Sequence, residues 1–190
     1  MSAAEVEVLL IGGRAGVGKS TAGWEVSRQL QELDVAHCLI EGDNLDQIHP
    51  APPDDPVREK ISEANLRAVW ANYFALGQRR LVYTNTVAVT SADWMTRAMG
   101  SNVRFIGALL TAGDETIVQR LGAREVGGGL DWHLERSRKA AKWLEKNSPG
   151  WVHRVASDGL AAAEVARKLI GLTDWSKGDR LGLPSAPPSG

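Results

Sequence analysis

A three-layer α/β fold is the architecture this 190-residue sequence predicts, with a five-stranded parallel sheet, helices on both faces and a small lid. Three observations carry it. Five short apolar runs of strand length alternate with stretches whose apolar residues recur at helical spacing. The second and third runs end in polar residues, as strands do where they open into the ligand crevice of an α/β sheet. The first run empties into a glycine-rich turn that leads straight into a helix.

The elements follow in order. Val6 to Ile11 reads as a buried strand, and Ala22 to Leu33 as a helix with Val26, Leu30 and Leu33 on one face. Ala36 to Ile40 is the second strand, running into Glu41-Gly42-Asp43-Asn44. The prolines between Pro50 and Pro56 exclude helix and inner strand, so this piece is a loop. A helix is predicted from Val57 to Leu76, with Leu66, Val69, Trp70, Tyr73 and Phe74 on its buried face and Gly77 closing it. Arg80 to Thr86 is the third strand, and a short helix capped by Ser91 runs to Met99. Val103 to Leu110 is the fourth strand, and Thr111 to Ala123 a helix with Asp114 and Glu115 at its positive end. Gly127-Gly128-Gly129 is a break, and Asp131 to Lys146 a helix. Trp151 to Ala156 is the fifth strand, and Leu160 to Leu172 the last helix. One domain over 1–175 is expected, with the lid at 124–138 and the Pro/Ser/Gly-rich stretch 176–190 as a disordered tail.

Composition narrows the function classes. With 22 basic and 23 acidic residues the net charge is −1, which gives no electrostatic case for nucleic acid or a membrane as partner. The single cysteine, Cys38, excludes an internal disulfide, and no secretory leader pattern is visible. A cytoplasmic monomer or homodimer is the expectation. The four histidines have no metal-ligand spacing, so a structural zinc is not expected. Trp132 and Trp143 are read as packing residues.

The chemistry starts at Gly13-Arg14-Ala15-Gly16-Val17-Gly18-Lys19-Ser20-Thr21, which fits the phosphate-loop pattern G-x-x-x-x-G-K-[ST]. Residues of this composition match four such fixed positions by chance on the order of once in a hundred chains. The strand before it and the helix after it are the context its chemistry needs. Unpaired amides and the helix dipole attract phosphate, and the glycines remove Cβ atoms from its path. Lys19 adds a point charge on the outer phosphates, the Ser20 hydroxyl ligates magnesium, and Thr21 donates to an outer oxygen. ATP and Mg2+ are thus the expected ligands. Asp43 either acts as general base on an acceptor hydroxyl or holds magnesium through water; an acidic turn that only caps the strand is the plain alternative. Glu41, Asn44, Arg67 and Asn85 are candidates for the acceptor site, against solvated or strand-closing roles. The third strand lacks the aspartate that many phosphate-loop proteins place at its end, and carries Asn85 instead. Arg120 and Arg124, one turn apart before the triple glycine, suit a lid that closes arginines over transferring phosphates; Arg136 and Arg138 beyond the break suit it less, with helix ion pairs as the alternative. Ser157-Asp158-Gly159 either touches the nucleotide base or caps the last helix.

The phosphate loop after strand one, the acidic pair after strand two, and Arg120-Leu121-Gly122-Ala123-Arg124 before a glycine break resemble the small P-loop kinases. These include nucleoside monophosphate, shikimate, gluconate and adenylylsulfate kinases and the chloramphenicol and tunicamycin resistance proteins. The resemblance spans about residues 5 to 172 and implies the P-loop NTPase fold, ATP with magnesium, a mobile lid and phosphoryl transfer to a small-molecule hydroxyl. Glu41-Gly42-Asp43-Asn44 is similar to the Asp-Gly-Asp-Asn segment of adenylylsulfate kinases. Asp46 stands where those enzymes have an arginine, and their Phe-Ile-Ser-Pro segment has no counterpart at Tyr83-Thr84-Asn85-Thr86, which points away from adenylylsulfate as acceptor. A nucleotide-binding switch or resistance protein with little transfer is the other reading; the guanine signature Asn-Lys-x-Asp is absent.

Overall fold

The computed structural model describes residues 6–122 and 130–177. Its strands are β1 (Val6–Gly12), β2 (Cys38–Glu41), β3 (Arg80–Thr84), β4 (Val103–Thr111) and β5 (His153–Ala156). They form one sheet in the order β2-β3-β1-β4-β5, with every pairing parallel. The helices are α1 (Lys19–Glu32), α2 (Glu59–Ala75), α3 (Ala92–Met99), α4 (Asp114–Gly122), α5 (Leu130–Asn147) and α6 (Ala162–Ile170). This is the predicted α/β class, and each of the five strands occurs where an apolar run was read.

Alternation along β1 divides the core. Leu9 and Ile11 pack with Val26 and Leu30 of α1 and Val165 and Leu169 of α6. Val8 and Leu10 face the other way, onto Leu66 and Trp70 of α2 and Trp94 and Met95 of α3. A strand buried on both faces has no polar side to show, which is why β1 reads as a continuous apolar run. α5 lies on the β4 side, with Leu144 against Leu109 and Val152.

The ends of elements differ from expectation by local side-chain chemistry. β3 stops at Thr84, short of the predicted Thr86, because the Asn85 side chain turns back and its Oδ1 accepts from the Val87 amide at 3.0 Å. Ser91 stands at the N-cap of α3 as expected, but its hydroxyl makes no capping bond and donates to the Val87 carbonyl instead. Trp132 and Trp143 are 60% and 47% exposed, so neither is the packing residue expected. Trp175, by contrast, is fully buried, and its indole donates to Glu7 on β1 at 2.7 Å. The proposed lid lies partly, and residues 178–190 of the proposed tail wholly, outside the described residues.

Candidate active site

Strand order gathers the site. β1 lies between β3 and β4, and β3 separates it from β2. The turns leaving β1, β3 and β2 therefore stand side by side at one edge of the sheet, and they carry the phosphate loop, Asn85 and Asp43 in that order.

The loop has the backbone its glycines permit. Gly13, Gly16 and Gly18 all have positive φ, and a Cβ on Gly13 would lie 2.8 Å from the Leu110 carbonyl oxygen. Gly18 caps α1, so Lys19, Ser20 and Thr21 form its first turn, with Ser20 and Thr21 open to solvent. Lys19 Nζ reaches back to donate to the Arg14 carbonyl at 3.3 Å. Arg14 contributes only its backbone to the phosphate-facing loop. Its side chain is buried and points away, donating to Asp114 at 2.7 Å and to the Ala112 carbonyl at 2.7 Å. Arg14 first, then Arg138 of α5 at 3.3 Å, hold the Asp114 carboxyl below its ordinary range. Ser137 of α5 donates to the Ala15 carbonyl at 3.0 Å. The tip of the loop is thus tied to both α4 and α5.

Arg120, near the end of α4, stands beside the phosphate loop. Its guanidinium donates to the Val17 carbonyl at 3.0 Å, and to the Ser157 hydroxyl and carbonyl, each at 3.1 Å. A cavity of about 340 Å3 opens there, lined by Gly18, Thr21, Arg120, Ser157, Leu160 and Val165 among others. Arg124 lies outside the described residues. Asp158 neither touches this cavity nor caps α6. It accepts from the Thr116 hydroxyl at 2.7 Å and the Gly113 amide at 2.9 Å, which lower its carboxyl in that order. Glu164 caps α6 through the Ala161 amide.

Across the edge, Asp43 sits on a 3-10 turn, Gly42–Asn44, and is exposed. Asn85 Nδ2 donates to its carboxylate at 2.6 Å. Asn85 therefore orients Asp43. Glu41 is held by the Trp24 indole of α1 at 2.7 Å, and Asn44 accepts from Gln47 at 3.2 Å. Arg67 is bound elsewhere: it donates to Glu63 at 2.6 Å and to the Arg97 carbonyl at 3.2 Å, in the seam between α2 and α3. The α2 residue that does reach the loop after Asp43 is Asn65, whose amide donates to the Leu45 carbonyl at 2.8 Å. Sequence reasoning passed over Asn65 and Ser137; only the pairing of distant elements reveals either. Among the described residues no group of three or more His, Cys, Asp or Glu is placed to hold a metal, and no helix is long and apolar enough to cross a membrane.

No protein-family model matches the chain, and no curated protein matches it. Solved structures do. The tunicamycin resistance protein of Deinococcus radiodurans has a TM-score of 0.59 at 16% identity, over 96% of this chain and 99% of that one. A gluconokinase from Sinorhizobium meliloti has a TM-score of 0.55 at 17% identity, over 87% and 90%. The Mycobacterium tuberculosis APS kinase, in complex with AMPPNP and APS, has a TM-score of 0.53 at 17% identity, over 90% and 98%. At such identities the likeness is one of fold, and the fold this chain shares is that of the P-loop small-molecule kinases.

Proposed function

We propose that the chain is an ATP-dependent phosphotransferase that moves the γ-phosphoryl group of ATP to a hydroxyl of a small molecule. The observation that carries it is the pairing of Asp43 with Asn85 at 2.6 Å, on the two turns next to the phosphate loop. An exposed carboxylate held by a neighbouring amide on that side of the loop is the group that transfer to a hydroxyl needs as its base. The kinases that share the fold support the same class, without naming this chain's acceptor.

In this reading the loop amides other than those of Gly13 and Val17, which donate to the Thr86 and Arg14 carbonyls, cradle the triphosphate together with the Lys19 ammonium. The nucleoside lies in the cavity between Arg120 and the Leu160 and Val165 side chains. The hydroxyl of Ser20 would hold magnesium, which would supply charge neutralisation at the phosphates. Asp43 accepts the proton of the acceptor hydroxyl as its oxygen bonds to the γ-phosphorus. The bond from that phosphorus to the β,γ-bridging oxygen breaks, and ADP leaves. Asn85 keeps the carboxylate turned toward the acceptor.

The test is ADP release with and without a panel of hydroxylated metabolites and antibiotics. Acceptor-dependent release is expected. In Asp43→Asn, kcat should fall by about 10^2- to 10^4-fold while ATP affinity stays at the wild-type value. Tight ATP binding with no acceptor dependence anywhere in the panel would sink the phosphotransferase in favour of a nucleotide-binding switch. Near-normal transfer by Asp43→Asn would remove Asp43 as the base.

A further inference from the structure

Two carbonyls of the phosphate loop are held by elements far away in the chain. The Ala15 carbonyl accepts from the Ser137 hydroxyl of α5 at 3.0 Å. The Val17 carbonyl accepts from Arg120 of α4 at 3.0 Å and from the Ser157 hydroxyl after β5 at 3.2 Å. Both carbonyls belong to trans peptides. A trans peptide is planar, and its C=O and N–H point in opposite directions. Holding the Ala15 oxygen therefore sets the direction of the Gly16 amide, and holding the Val17 oxygen sets that of the Gly18 amide. Neither amide donates to a carbonyl or side chain among the described residues, whereas the Gly13 and Val17 amides are taken by Thr86 and Arg14.

Such planes need a hold. Gly16 and Gly18 have φ of +84° and +98°. Glycine takes either sign of φ at little steric cost, so a peptide plane beside it turns over easily. A reversed Ala15–Gly16 plane would offer phosphate a carbonyl oxygen in place of an N–H. Two side chains hold the Val17 plane, and Ser137 holds the Ala15 plane.

Ser137 is 1% exposed, so its hydroxyl needs an acceptor. A buried helix hydroxyl can find one on the carbonyl four residues back. Ser62 and Thr96 do so, on Arg58 and Ala92. Ser137 instead reaches a residue 122 positions away. Its neighbours fix its place. Arg138 donates to Asp114, which also accepts from Arg14, the residue before Ala15. Two turns on, Leu144 packs with Leu109 and Val152.

We infer that Ser137 is a positioning residue for nucleotide binding. By holding the Ala15 carbonyl it keeps the Gly16 amide turned toward the phosphates, and it acts through that peptide plane instead of by contact with the ligand. This rests on the nucleotide-binding half of the phosphotransferase reading and not on transfer. Phosphate-loop amides serve the α- and β-phosphates. The effect therefore falls on ATP and ADP alike and spares adenosine.

The test uses the full chain and measures binding, which is independent of turnover. Ser137→Ala should bind ATP and ADP about 10-fold more weakly than the wild type, with adenosine affinity unchanged. Ser137→Thr, which keeps the hydroxyl, should recover most of the loss. Amide spectra of 15N-labelled protein supply the second readout. On ADP binding the Gly16 and Gly18 amide protons should both move downfield in the wild type, and in Ser137→Ala the Gly16 shift should be lost while the Gly18 shift stays. A folded Ser137→Ala protein with wild-type ATP and ADP affinity overturns the positioning role, whatever its melting temperature. So does an equal loss of ATP and adenosine affinity. A wild-type Gly16 amide that ADP leaves unshifted overturns it without any variant. ADP binding that depends on Ser137, with no acceptor turned over, keeps the positioning role and overturns the phosphotransferase. A wild type that binds neither ATP nor ADP overturns both.

Discussion

Gly42→Ala adds one methyl group at the joint between the fold and the turn that carries Asp43, and its consequences can be worked from the packing. Gly42 is buried, and its φ lies outside the left-handed region, so the backbone itself tolerates alanine. The obstacle is steric. A Cβ there would overlap the Tyr83 hydroxyl, lie 2.5 Å from Tyr83 Cζ, and lie 3.0 Å from Asn85 Cβ. Tyr83 is 2% exposed on a central strand and meets Trp94 edge-on, so the ring has little room to retreat. Overpacking of this kind costs about 1–3 kcal/mol. At roughly 2–4 °C per kcal/mol for a chain of this size, the melting temperature should drop by several degrees. The displacement also falls on both partners of the Asp43–Asn85 hydrogen bond, since Asp43 follows Gly42 and Asn85 is the third contact. A shift of about 1 Å in an acceptor-side group costs on the order of 10^2-fold in rate. ATP binding, centred on the turn after β1, should be spared. Thermal unfolding, ATP-analogue titration and acceptor-dependent ADP release read the three quantities separately. Tyr83→Leu supplies the internal control: it removes the ring that the new methyl meets, so the double variant should lose less stability than the sum of the two single losses. If Gly42→Ala melts and turns over like the wild type, or if the two losses simply add, the steric coupling between Tyr83 and the Asp43 turn is not there.

Two further predictions concern the sheet edge at β2. The His37 ring is satisfied as a neutral imidazole, with Val35 accepting at 2.8 Å and Ser27 partnering the other nitrogen at 2.8 Å. Burial holds its basicity below the ordinary value. The unfolded chain therefore takes up the proton first, near pH 6.5, so the stability His37 contributes is complete above that pH and is lost as pH falls through the lower folded value. The urea midpoint should drop more steeply between pH 7.5 and pH 5 in the wild type than in His37→Gln; parallel slopes would remove His37 from the acid response. The Cys38 thiol is buried and pushed up to about 12, so a disulfide reagent at pH 8 should label it slowly in buffer and rapidly in denaturant. Fast labelling of the native protein would show that β2 opens readily.

The features that were legible in the sequence are those whose partners are close in sequence or generic in kind. The phosphate loop is one, because its ligand binds backbone amides, and the glycines that expose them sit within six residues of one another. The strands are another, because burial on both faces demands apolar side chains whatever the neighbour. Asp43 could be picked out by its place after β2, but not its partner: Asn85 is 42 residues away, and only the β2-β3-β1 order brings them together. Arg14 shows the converse. Its position in the motif suggested phosphate, while its charge is spent on Asp114, 100 residues further on. Arg67 drew attention because it stands beside the apolar face of a predicted helix, yet a glutamate one turn earlier holds it. Arg58 sent no signal: it falls inside the helix predicted from Val57, yet it stands just before α2 with a left-handed backbone that nothing nearby in the chain marks. Phosphate chemistry is repeated and local, so it leaves a pattern. Acceptor chemistry depends on which distant loops share a cavity, and no short stretch of sequence carries that.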